Sequence, residues 1–452
     1  MDKKLSLSAY SFIGMMLFAL FFGAGNLIFP ATLGQNAGSN VWLAVGGFLL
    51  TGIGLPFLGI LAMGFSGSRS LQDLASRIHP VYGIIFTALL YLTIGPLFAI
   101  PRTGAVSYDI GVAPFLGAGH EQIGLLIFTS IFFGVTLWLS LNPSKMVDRI
   151  GKLLSPAILV LLGILLVMVI VNPLGSIQAP QESYANGAFM KGFTEGYNTM
   201  DALASLVFGI IVIDIIRKMG VKSTQGILKA TAKAGGVATV LLGVIYVGIA
   251  YLGATSTEMF GLFETGGPVL SNTASYYFGT FGTLLMAVII FLACLTTSIG
   301  LITACGEYFH SLFPNVSYKL FTIGFSVFSF IIANIGLSNI ITYSIPVLMF
   351  LYPLAIVLII LTFASPLFKH SRLVYVSATV VTLMVSSVDG LKTLCTSLNM
   401  EYFEWMKPII SFYESYLPLY SQGLGWLIPS LIVMVITGIL AYVKKVSFAY
   451  AQ

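Results

Sequence analysis

Residues 18–30 read Phe18-Ala19-Leu20-Phe21-Phe22-Gly23-Ala24-Gly25-Asn26-Leu27-Ile28-Phe29-Pro30. Two glycines, an asparagine and a proline interrupt an otherwise apolar helical stretch. In a helix interior each glycine costs about 1 kcal/mol and a proline about 3 kcal/mol. The stretch lies within 64 consecutive residues, 5 to 68, that contain no Asp, Glu, Lys or Arg. About 20 apolar residues cross a bilayer, so this run holds two spans joined by a turn. The interruption falls near the middle of the first. At that depth unwound backbone is tolerated only where protein buries it or where it lines a cavity. Small residues also permit close helix packing, but the adjacent polar Asn26 points to a break.

The rest of the chain extends this pattern. Of 452 residues, 57% are apolar and 8% are charged. A soluble domain carries about 25% charged residues, so a soluble enzyme, a disordered chain and a nucleic-acid-binding protein are excluded. A second charge-free run of 49 residues separates Lys319 from Lys369. Transmembrane β-barrels alternate polarity along strands of about ten residues. These runs are continuous, which leaves helices as the spanning element. The fold class is therefore an all-α polytopic membrane protein with both termini on the cytoplasmic side. Twelve transmembrane helices are predicted, at about 9–34, 41–65, 81–108, 121–141, 152–172, 194–217, 226–253, 279–306, 316–336, 338–364, 372–391 and 424–443.

Charge sets the orientation. With the N-terminus inside, 17 of the 21 Lys and Arg fall in inner loops or tails, as the positive-inside rule requires. Arg102, Lys191, Lys392 and Lys407 fall outside or near the outer face. Three connections are more than turns. Ser66–Pro80 has the length for a short interfacial helix. Thr255–Tyr277 has Glu258, Glu264 and Gly266-Gly267-Pro268, which suit a capping hairpin. Residues 392–423 mix aromatics with Glu401, Glu404, Lys407 and Glu414, which suits an outer amphipathic segment or a plain surface loop. The three cysteines form no disulfide framework and are expected as small buried hydrophobes. A cleaved leader is not expected after Met1–Lys4, because the following apolar stretch is too long and lacks a cleavage site.

The sixth span carries Asp201, several residues into an apolar segment. An ionisable group there costs at least about 2.5 kcal/mol and marks an ion or substrate path, unless it caps the helix at the interface. Interruptions in spans one and six match two inverted five-helix repeats, spans 1–5 (about 9–172) and 6–10 (about 194–364). The domain plan is a transporter core over 1–391 that includes span 11, an outer segment over 392–423, and span 12 with a cytoplasmic tail over 424–452. In the eighth span Ala293, Thr296 and Thr297 share one helix face. A carbonyl and two hydroxyls there suit a small hard cation, or bond within their own helix.

The string at 18–30, with Glu195-Gly196-Tyr197-Asn198-Thr199-Met200-Asp201-Ala202-Leu203-Ala204, resembles the signatures of the bacterial branched-chain amino acid carrier (BrnQ) family. The resemblance covers essentially the whole chain. It implies a LeuT-like 5+5 inverted repeat plus two extra helices, with helices 1 and 6 broken. It also implies cation-coupled uptake of leucine, isoleucine and valine across the cell membrane. Gly23, Ala24, Gly25 and Asn26 would then bind the substrate, with its carboxylate on the amides of Ala24, Gly25 and Asn26. Its ammonium would meet sixth-helix carbonyls with Asp201. Ala202, Leu203, Ser205 and Phe208 would line the pocket, and the third helix would add Tyr91 and Ile94. Sodium would sit between the carbonyls of Ala19 and Phe22 and the eighth-helix oxygens of Ala293, Thr296 and Thr297. A proton in place of sodium, or another neutral amino acid, stays open.

The competing classes find little support in the sequence. A membrane enzyme would want clusters of His, Cys or carboxylates at depth, and the four histidines fall in loops or at interfaces. No filter loop marks a channel. The expected partners are the amino acid, sodium and the lipid bilayer, with no nucleic acid, no cofactor and no obligate protein partner.

Overall fold

The computed structural model describes residues 5–116, 119–141 and 146–443, with the backbone alone over 146–155 and at 157. Every described element is helical. In chain order the α-helices are α1 (Leu7–Phe21), α2 (Ala24–Ala37), α3 (Val41–Leu49), α4 (Leu55–Ser66), α5 (Leu71–Ala75), α6 (Pro80–Leu92), α7 (Ala99–Gly111), α8 (Glu121–Ser140), α9 (Met146–Val171) and α10 (Glu182–Ala185). They continue as α11 (Ala188–Glu195), α12 (Asp201–Lys218), α13 (Thr224–Phe260), α14 (Gly266–Leu312), α15 (Tyr318–Ala333), α16 (Leu337–Ala364), α17 (Arg372–Ser397), α18 (Met406–Tyr416) and α19 (Leu427–Val443).

Serines start several of these helices. Ser6, Ser70, Ser223 and Ser317 each accept a bond from an amide three residues on, which satisfies a donor that the helix itself cannot. Among the described residues, seven helical stretches are long and apolar enough to cross a membrane. One bent pair, Ala188–Thr199 with Asp201–Lys218, passes the same test together, and four shorter apolar helices accompany them. Their outer faces are apolar: Ile123, Ile127 and Ile131 on α8, and Ile432, Val435 and Ile439 on α19, are all more than half exposed. Stripes of that size suit lipid and not water.

Glycines let the inner helices touch. A Cβ on Gly34 would stand 1.9 Å from the Ala250 carbonyl oxygen, and one on Gly253 would stand 2.2 Å from that of Ala31, so α2 and α13 cross backbone to backbone. Gly47 and Gly192 do the same for α3 and α11, each 1.9 Å from a carbonyl of the other helix. Such crossings hold membrane helices together by close packing.

Several expectations need correction. The third span is not one helix: a π-turn over Thr93–Leu97 and non-helical Gly95 separate α6 from α7. Pro96 withholds an amide and Pro101 another. The segment Thr255–Tyr277 is helical on both sides of a non-helical stretch at 261–265. Helix α13 continues to Phe260, and α14 begins at Gly266 and bends at Gly279 (φ 61°). The segment 66–80 does hold a short helix, α5, and 392–423 holds α18. Lys3, Lys4, Lys145, Lys444, Lys445 and the tail after Val443 lie outside the described residues.

Candidate functional site

The helix stops at Phe21 and resumes at Ala24, with Phe22 and Gly23 extended between them. The Gly23 amide turns to the Asn26 side-chain oxygen at 3.0 Å and so caps α2. The first three amides of α2, on Ala24, Gly25 and Asn26, have no acceptor inside the helix. The sixth-span stretch bends by 47° between Thr199 and Asp201. There Met200 sits in the left-handed region at φ 63°, buried. A non-glycine residue held so costs about 1–3 kcal/mol, and such strain clusters at functional sites. Asp201 then opens α12, its own amide bonded to the Thr199 hydroxyl at 3.3 Å.

The two interruptions meet. Asn26 Nδ2 donates to Asp201 Oδ2 at 2.6 Å and also to the Tyr246 hydroxyl, which donates to the same Oδ2 at 2.8 Å. All three side chains are buried. Both bonds fall on Oδ2, and the Thr199 side chain also lies against the carboxylate. Asp201 is therefore no exposed interfacial cap. Asn26→Leu keeps the volume but removes partners from Gly23, Asp201 and Tyr246 at once. Each group left unsatisfied costs about 1–3 kcal/mol. The variant is expected to melt well below the parent in detergent, and below Tyr246→Phe, which removes one hydroxyl. Equal melting of the three proteins would mean that the triad contributes nothing.

A small cavity of about 40 Å³ opens on this junction. Its polar wall includes Gly23, Ala24, Gly25, Asn26, Thr199, Asp201 and Thr297, and its apolar wall Leu20, Phe21, Ile94, Ala204, Phe208 and Leu301. The rings of Phe21 and Phe208 meet edge to face at 5.8 Å. Of the residues expected to line a pocket, Ala202, Leu203 and Ser205 do not. They are fully buried on other faces of α12, where the Ser205 hydroxyl bonds the Ala202 carbonyl at 2.7 Å. Tyr91 also points elsewhere and stacks on Tyr308 at 4.3 Å.

Beside the cavity, the Thr297 hydroxyl lies 3.3 Å from the Phe22 carbonyl and 3.1 Å from that of Ala293, and Thr296 bonds the Ala293 carbonyl at 2.8 Å. Four neutral oxygens from α14 and the unwound Phe22 thus converge. No group of three or more His, Cys, Asp or Glu that could hold a metal occurs among the described residues. Ala19 lies on α1, one turn before this point, with no bond placing its carbonyl among the four.

Two residues of the site carry little sequence signal. Arg102, expected near the outer face, is 2% exposed and lines the cavity. Tyr246 is one of many aromatics in an apolar span. The sequence signal for Arg102 is a charge within 81–108, six residues past Pro96. Nothing local marks Tyr246.

The family model described as branched-chain amino acid transport protein matches residues 7–444. The chain is 49% identical over 431 residues to the branched-chain amino acid permease BrnQ of Bacillus subtilis (strain 168), covering 95% of this chain and 96% of that one. Its fold is similar to that of Mhp1, a nucleobase-cation-symport-1 family transporter in a closed conformation with bromovinylhydantoin bound (TM-score 0.62, 14% identity, 98% of this chain and 94% of that one). It is also similar to MhsT in complex with L-phenylalanine (TM-score 0.56, 16% identity, 98% and 99%).

Proposed function

The chain belongs to the family of branched-chain amino acid transport proteins, and on that premise we propose that it imports leucine, isoleucine and valine by sodium symport through alternating access. A transport family with several apolar spans makes it a multi-pass bacterial membrane protein and not an enzyme. The observation that carries the proposal is the junction of unwound Phe22–Gly23 with bent Met200 across the Asn26–Asp201–Tyr246 triad.

The architecture proposed is twelve spans in two inverted repeats, with spans 1 and 6 broken and both termini inside. The seven long stretches, the bent pair and the four shorter helices total twelve segments. The glycine crossings support the repeat: span 1 meets span 7 through Gly34 and Gly253, and span 6 meets span 2 through Gly192 and Gly47. Those two contacts exchange under the repeat relation. Residues 1–391 then form the core, 392–423 an outer segment, and 424–452 the last span and tail.

In this scheme the substrate carboxylate takes the free amides of Ala24, Gly25 and Asn26, where a half-helix dipole favours negative charge. The ammonium takes Asp201 Oδ1. The side chain enters the apolar wall of Phe21, Ile94, Phe208 and Leu301, whose burial stabilises a branched aliphatic group by about 0.8 kcal/mol per CH₂. Sodium takes the oxygens of Phe22, Ala293, Thr296 and Thr297, which hold the unwound first span against the eighth. Closing the outer path and opening the inner one releases both ligands. A proton in place of sodium is the second scheme. It is favoured by Asp201, a buried carboxylate without a basic partner among the described residues.

Purified protein in liposomes separates them. A sodium gradient alone should drive concentrative leucine uptake, and accumulation driven only by a proton gradient would remove the sodium scheme. Thr297→Ala should raise the sodium concentration for half-maximal uptake about tenfold, the effect of losing one bond to a charged group. Unchanged sodium dependence would dissolve the proposed cage.

A further inference from the structure

Arg102 is a buried cation that the scheme above does not use. It lies on α7, four residues past the break at Phe98. One terminal nitrogen donates to the Asn198 carbonyl at 2.6 Å and the other to the Ser344 hydroxyl at 3.1 Å. The Phe29 ring lies 5.0 Å from the guanidinium carbon. Its Nε is buried with no partner, and no carboxylate among the described residues comes within ion-pair distance. A guanidinium has five N–H donors, and these two bonds use two of them. Taking such a charge out of water against neutral partners is unfavourable unless an anion completes it. Arg102 also lines the cavity that Asp201 and the amides of α2 share.

The cavity therefore holds one fixed positive and one fixed negative group, both buried, from different spans. We propose that Arg102 is a specificity-determining residue that receives the substrate carboxylate together with the amides of α2, so that the site selects a zwitterion. This rests on the amino acid transport proposed above. An amino acid brings a carboxylate to Arg102 and an ammonium to Asp201, and each buried charge gains the partner it lacks. A neutral or purely cationic analogue leaves Arg102 unmatched and is rejected. A planar guanidinium suits a carboxylate because two parallel N–H groups meet its two oxygens.

The test compares leucine with leucinamide, which keeps the side chain and ammonium but has no carboxylate. Competition against labelled leucine is measured in proteoliposomes for the parent, R102Q and R102K, each first checked for monodispersity in detergent. R102Q should raise the half-saturation concentration for leucine roughly thirtyfold or more, as losing one partner of a buried charge pair does. Inhibition by leucinamide should stay within about threefold. R102K keeps the charge without the fork and should restore part of the discrimination. Parallel weakening of both ligands, or loss of folding in both variants, would assign Arg102 to holding α7 against Asn198 and Ser344 and overturn the proposal. A parent protein that takes up no leucine would instead refute the transport function itself.

Discussion

Asp201→Ala is expected to reduce leucine accumulation in proteoliposomes to the level of protein-free vesicles. The carboxylate is the acceptor on which Asn26 and Tyr246 both converge, and its second oxygen is the proposed seat of the substrate ammonium. Truncating a buried, hydrogen-bonded charge costs about 2–5 kcal/mol in binding, and two donors are left unsatisfied at about 1–3 kcal/mol each. Those effects fall on the bend that starts α12, so geometry and charge are lost together. Asp201→Asn separates them, because it keeps an acceptor oxygen and removes the charge. Uptake in the asparagine variant should be reduced by at least about tenfold. If Asp201→Asn takes up leucine like the parent at every pH tested, Asp201 only caps a helix and both coupling schemes lose their acid.

Gly34→Val should have the largest effect on stability. Even a Cβ at position 34 would stand 1.9 Å from the Ala250 carbonyl oxygen and 2.9 Å from the Ala254 amide nitrogen. Those are backbone atoms of α13 and cannot rotate away. Overpacking a tight core typically costs about 1–3 kcal/mol, occasionally more, and valine adds two further carbons. The helices must separate, which carries α2 and its free amides away from Asp201. We expect Gly34→Val to yield no monodisperse protein, and Gly34→Ala to melt clearly below the parent. Gly236→Ala on the same α13 meets nothing within 4 Å and serves as the neutral control. Comparable melting of Gly34→Ala and Gly236→Ala would show that the helices do not cross this closely.

The lining residues missed by sequence have specific physical causes. Gly95-Pro96 falls inside the helix expected over 81–108, and a proline alone does not say whether neighbouring helices restore the lost bonds or the chain breaks. On α12 the apolar residues Ala202 and Leu203 share local character with Phe208. Only the neighbours decide which of them meets the cavity. By residue number alone Arg102 lies toward the outer end of its span, among the outer charges. The break at 95–98 and the crossing with Asn198 and Ser344 bring it inside.

The sequence by itself determined the membrane class, the approximate spans, the interruption at Phe22–Gly23 and the position of one buried acid. Hydropathy and helix-breaking are properties of short, continuous stretches, and they survive without knowledge of the fold. Tertiary structure decided that Asn26, Asp201 and Tyr246 form one triad, across separations of 175 and 220 residues. It also decided that Arg102 shares their cavity and that glycines let α2 meet α13. Hydrogen-bond partners and close approaches depend on which helix faces which, and that choice minimises buried unpaired polarity over the whole bundle, not within any one segment.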